Sequence, residues 1–151
     1  MELTVRRSAA LTLAIGLAAF AASDFGSAAL AQSAAVPRPP VELSKVSYAF
    51  ANAAASGDAE AAAKLSRFPL DNIVEREPKT LSRPAFIKRF KADYAGHKEI
   101  VDCLLANQLE VETQNGKTNF RKWSIDCNGN VYHFGFIADH WAYTGYENIN
   151  E

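Results

Sequence analysis

The chain is poor in sulfur, in net charge and in long apolar runs, and each shortage excludes something. Its 151 residues hold one methionine and two cysteines, Cys103 and Cys127, so only one intramolecular pairing is possible. The formal net charge is −1. A near-neutral domain gives no electrostatic case for nucleic acid or an anionic membrane as partner. No Gly-rich phosphate loop, nucleophile–base triad or internal repeat is evident, and nothing in the sequence calls for a cofactor.

The one long apolar run, Leu11 to Ala22, follows Arg6 and Arg7 and precedes the small-x-small site Ala29-Leu30-Ala31. A basic start, an apolar stretch too short to span a bilayer and an Ala-x-Ala site together mark a secretory signal peptide. Residues 1–31 are therefore expected to be removed after Ala31, by the general secretion route, giving a periplasmic or secreted protein with no membrane span. The alternative is an uncleaved anchor. Residues 32–40, with Pro37, Pro39 and Pro40, read as a flexible leader. Residues 41–151 remain as one domain. In an exported chain Cys103 and Cys127 are expected to form a disulfide, contributing on the order of 3 kcal/mol by chain entropy. Two buried free thiols are the alternative.

Helical spacing comes first. Val46, Ala49, Phe50 and Ala53 share a stripe that Gly57 ends, and Asp58 is placed to cap a short Ala-rich helix from Ala59 to Ser66. Leu70, Ile73 and Val74 read as a short extended segment or edge strand. Ser82 caps a helix that puts Phe86, Ile87, Phe90 and Tyr94 on one face and Lys88, Arg89 and Lys91 on a solvated one. A further helix spans about Glu99 to Ala106.

From Leu109 the period becomes two. Asn115-Gly116 and Asn128-Gly129 are hairpin turns, and Ala138-Asp139-His140 leads into a last strand from Trp141 to Tyr146. Trp123, Ile125 and Cys127 share one strand face, as do Tyr132, Phe134 and Phe136 on the next, so His133 points to the opposite face. Glu110 and Glu112 are expected to pair across strands with Lys122 or Arg121. Helices first and a meander after predict an α+β fold, its N-terminal helices packed on a curved antiparallel sheet.

Phe68-Pro69-Leu70 after an Ala-rich helix, Leu81-Ser82-Arg83 followed by Phe86, and the Trp141-to-Asn150 ending resemble segments of the nuclear transport factor 2-like superfamily, also called the SnoaL-like or cystatin-like α+β cone. The resemblance covers Val41 to Glu151 and implies a cone-shaped barrel with a pocket between helices and sheet. That superfamily hosts enzymes and non-catalytic binding domains alike, so the fold alone does not choose a function. The resemblance also raises homodimerisation through the outer sheet face.

The leading expectation is non-catalytic: a small apolar ligand in a pocket formed by Tyr48, Phe90, Trp123, Phe134 and Trp141, or a protein partner on the sheet face. An isomerase or hydrolase would use Asp71, as general acid or base, with the Tyr48 hydroxyl. An inhibitor or immunity-type interaction protein is a third reading. Asp139 is explained by the turn, and His97 reads as the end of a helix. His97, His133, Asp139 and His140 match no metal-ligand spacing.

Overall fold

Prolines fix where the first helix begins. In the computed structural model, which describes residues 36–74, 77–94 and 96–150, residues 36–40 have no regular structure and α1 (Val41–Ser56) starts directly after Pro40. The expected signal and the first part of the leader lie outside the described residues. The Pro40 carbonyl accepts from the Ser44 N–H at 3.0 Å. Leu43, Ser47, Phe50, Ala51 and Ala54 form the buried stripe of α1. Gly57, at φ 69°, ends it in the left-handed conformation that glycine adopts without steric cost. Asp58 then accepts from the Ala61 N–H at 2.9 Å and starts α2 (Ala59–Lys64).

Two short-range surprises follow. β1 (Ser66–Ile73) is longer than the sequence pattern predicts, and it carries Pro69, preceded by a cis peptide bond. Pro69 falls in the stretch between Ser66 and Asp71 where pairing to the neighbouring strand shifts register, so its missing N–H costs no regular ladder bond. After β2 (Thr80–Leu81), α3 (Arg83–Tyr94) buries Phe86, Phe90 and Tyr94. α4 (Lys98–Ala106) ends at Asn107, φ 52°, whose side-chain oxygen accepts from the buried Ser47 hydroxyl at 2.6 Å and ties α4 to α1. His97 is the N-cap residue of α4, not the end of the preceding helix.

The remaining strands are β3 (Glu110–Gln114), β4 (Lys117–Cys127), β5 (Asn130–Ile137) and β6 (His140–Asn148). Each hairpin turn has its first residue at positive φ: Asn115 at 51°, Asn128 at 56° and Ala138 at 48°. The curved, unclosed sheet has the order β2-β1-β6-β5-β4-β3. The α+β class is as expected, but the sheet is mixed rather than antiparallel, because β1 runs parallel to β6. β1 is also internal, not an edge strand. It is hydrogen-bonded along both edges, to β2 and to β6, and it buries Leu70 and Asn72 on the helix side.

The core sits between α1, α3 and the inner sheet face. Phe50 stacks on Tyr143 with centroids 4.2 Å apart and meets Phe90, Phe134 and Tyr94 edge-on. Such aromatic pairs add to the area they bury. Cys103 on α4 is disulfide-bonded to Cys127 at the end of β4, their Cα atoms 5.8 Å apart. No helix among the described residues is long and apolar enough to cross a membrane.

Candidate functional site

A cavity of about 580 Å³ lies between α3, α4 and the inner faces of β1, β5 and β6. Its apolar wall is Leu70, Leu81, Phe86 and Ile100, and its polar wall carries four tyrosines: Tyr94, Tyr132, Tyr143 and Tyr146. Tyr94 ends the buried face of α3. Strand alternation turns Tyr132 inward on β5 and Tyr143 inward on β6, and Tyr132 and Tyr146 are direct neighbours across that ladder. The Tyr146 hydroxyl donates to Asn130 Oδ1 at 2.5 Å.

Burial pushes the Tyr94, Tyr132 and Tyr143 hydroxyls well above the usual phenol range, because the ionised form would lose its hydration. Charge repulsion from neighbouring phenols and from Asp93 pushes the same way, while at Tyr143 a hydrogen bond with Tyr94 works against the rise. These three tyrosines are therefore neutral groups at physiological pH, able to donate a proton in a hydrogen bond but not to act as bases.

Arg89 stands at the polar end of the cavity, half-buried between two carboxylates. Its Nη1 pairs with Glu77, and its Nε lies 3.0 and 3.2 Å from the two Asp93 oxygens. Burial alone would lower the guanidinium pKa, but the hydrogen bonds to Glu77 and Asp93 outweigh it and raise it further. Hydrogen bonds from Arg89, and then from Asn72, hold the Glu77 carboxyl below its ordinary value. Asn72, fully buried, donates to Glu77 Oε2 at 3.1 Å and to the Pro78 carbonyl at 2.8 Å, which ties Glu77 and Pro78 to β1.

The residues expected to form a pocket do not assemble around this cavity. Phe90, Trp123 and Phe134 are at most 1% exposed and are packed into the core. Trp141 packs against Phe136, centroids 5.3 Å apart. Tyr48 is 52% exposed on the outer side of α1, beside a shallow groove it shares with Lys45 and Asn52. Periodicity identifies which side chains point inward, but not which of them face empty space. Asp71 borders the cavity, yet its side chain packs over Gly145 on the other sheet face, so Asp71 and Tyr48 do not meet there. Three of the four cavity tyrosines did leave a signal: Tyr94, Tyr132 and Tyr143 fall on the inward face of their own element, while each hydroxyl needs a polar neighbour or open space. Tyr146, three residues after Tyr143, turns inward only because the β5–β6 register shifts between them.

On the opposite sheet face, His133 lies between two carboxylates. Its Nδ1 is 2.7 Å from Glu112 Oε1, and its buried Nε2 is 3.5 Å from Glu147 Oε2, too far and too poorly aligned for a hydrogen bond. His133 does face away from the helices, but it is only 23% exposed. Glu112 thus pairs with His133 and not with Arg121 or Lys122. Arg121 instead donates to the Phe136 carbonyl and covers the Phe136 ring at 5.1 Å. Among the described residues no group of three or more His, Cys, Asp or Glu side chains is placed to hold a metal ion.

No family model, curated protein or solved structure matches this chain.

Proposed function

We propose that this protein is an exported, non-catalytic binding domain that holds a small organic molecule in the tyrosine-lined cavity. The observation that carries the reading is the cavity itself. About 580 Å³ between apolar residues on one side and convergent phenol hydroxyls on the other is the size and chemistry of a small-molecule site. An apolar body would lie against Leu70, Leu81, Phe86 and Ile100, and a polar group would face Tyr94, Tyr132 and Tyr143. The acids on the cavity wall support binding over catalysis. Asp93 is engaged by Arg89, Asp71 turns its side chain away, and Glu99 is largely exposed beside His97, so none of the three is a buried, unengaged carboxylate poised to move a proton. The order of helices before a curved sheet, with a cavity between them, supports kinship with the nuclear transport factor 2-like superfamily. Cleavage after Ala31 and a periplasmic or secreted location belong to the same reading.

Native mass spectrometry of the protein recovered from the expressing cell, beside the denatured sample, tests this. The expected result is a bound molecule in the native spectrum that Leu81→Trp, which fills the cavity, displaces. The denatured mass is expected to begin at Gln32. An empty native spectrum, together with no thermal stabilisation by any member of a small-molecule library, would overturn the binding reading.

A further inference from the structure

The charges around the cavity say more about its occupant than its size does. Among the described residues Arg89 is the only Lys or Arg on the cavity wall, and Glu77 and Asp93 both already engage it. One guanidinium thus faces two carboxylates. Glu99, at the entrance, adds a third, with His97 3.5 Å away. Among the described residues an incoming carboxylate or phosphate would find no free Lys or Arg and would have to displace both acidic partners from Arg89. The tyrosines add a second, independent preference. Rings and hydroxyl oxygens gathered around a desolvated space attract a positive charge through the ring quadrupole. We propose that the ligand carries that charge: it is an organic cation, an amine or quaternary ammonium on an apolar body, seated among Tyr94, Tyr132 and Tyr146 and beside Asp93. The inference rests on the small-molecule reading above.

Three probes of one shape separate charge from size: choline, neutral 3,3-dimethylbutan-1-ol and anionic 3,3-dimethylbutanoate. Titration calorimetry at low salt on the mature protein is expected to show choline binding at least about tenfold tighter than the alcohol, the order expected of a cation among aromatic rings, with no binding of the anion. Glu99→Gln, at an exposed position that should not disturb folding, is expected to weaken choline severalfold and leave the alcohol unchanged. Tyr132→Phe, read alongside it, should retain choline, because the ring persists. Equal or tighter binding of the alcohol or the anion would overturn the charge assignment and leave the small-molecule reading standing. If none of the three binds, the native spectrum decides. A resident cation supports the assignment, a resident neutral or anionic molecule overturns it, and an empty spectrum together with no thermal stabilisation by the small-molecule library overturns both readings.

Discussion

Glu112 and His133 meet at 2.7 Å although β4 lies between their strands. The contact depends on a break in the β3–β4 ladder. Val111 pairs with Trp123, but Glu112 pairs with Asn119, so Phe120, Arg121 and Lys122 have no partners in β3. Replacing His133 by Ala would leave Glu112 and Glu147 close together without the group between them. Urea unfolding at neutral pH should show a loss of about 1–2 kcal/mol, the usual cost of stranding a partly buried polar group. Glu112→Gln should cost less. The double variant should show coupling between the two positions, and strict additivity would mean the contact contributes nothing.

Acid should loosen the Glu77–Arg89 link. The folded Glu77 carboxyl lies below its unfolded value of 4.5. The resulting stability is present above that value and is lost as pH falls through the folded one. Thermal unfolding across the acid range should therefore show a decline setting in below about pH 4.5 that is shallower in Glu77→Gln. An identical pH dependence in the two proteins would count against the link.

The buried tyrosines give the alkaline counterpart. Tyr94, Tyr132 and Tyr143 have folded values above the unfolded phenol, so the stability they confer is complete below about pH 10 and lost as pH rises further. Of five tyrosines, at most two should ionise before the chain unfolds, and absorbance near 295 nm counts them. Four or five ionising in the folded protein would show a cavity much wetter than described here.

Gly145 tests the parallel pairing. A Cβ at this position would come within 2.8 Å of both Cβ and the backbone oxygen of Asp71. The backbone oxygen cannot swing aside as a flexible side chain can, so β1 and β6 must part. Gly145→Ala should destabilise by about 1–3 kcal/mol, as overpacking does, and weaken ligand binding with it. Unchanged denaturant midpoints would mean the two strands are not packed this closely.

The elements that the sequence made readable are those set by local chemistry. Gly57 and Asp58 mark the α1–α2 junction through backbone conformation and one side-chain bond, and Asn-Gly pairs mark two hairpins. The parallel β1–β6 pairing was not readable, because register between residues some seventy positions apart leaves no periodic trace, and Pro69 argued against an internal strand. The three unpaired residues of β4 redirected Glu112 for a similar reason: alternation counts residues but cannot detect those that the ladder skips. For the site, helix and strand periods placed Phe90, Trp123 and Phe134 correctly on inward faces. Only three-dimensional packing distinguishes those filling the core from Tyr94, Tyr132 and Tyr143, which border the cavity.

The parallel pairing also sets a schedule for folding. Leu70 and Asn72 on one wall of the cavity come from early in the domain, while Tyr143 and Tyr146 on the next come from near its end. A chain made from its N-terminus can complete α1, α2 and the hairpins from nearby residues. β1 must wait with one edge open until the final strand reaches it, and closing so long a loop is slow. The cavity is then the last part of the molecule to form. A chain cut before Tyr143 would lose the strand that joins β1 to β5, the ring on which Phe50 stacks, and one wall of the cavity together.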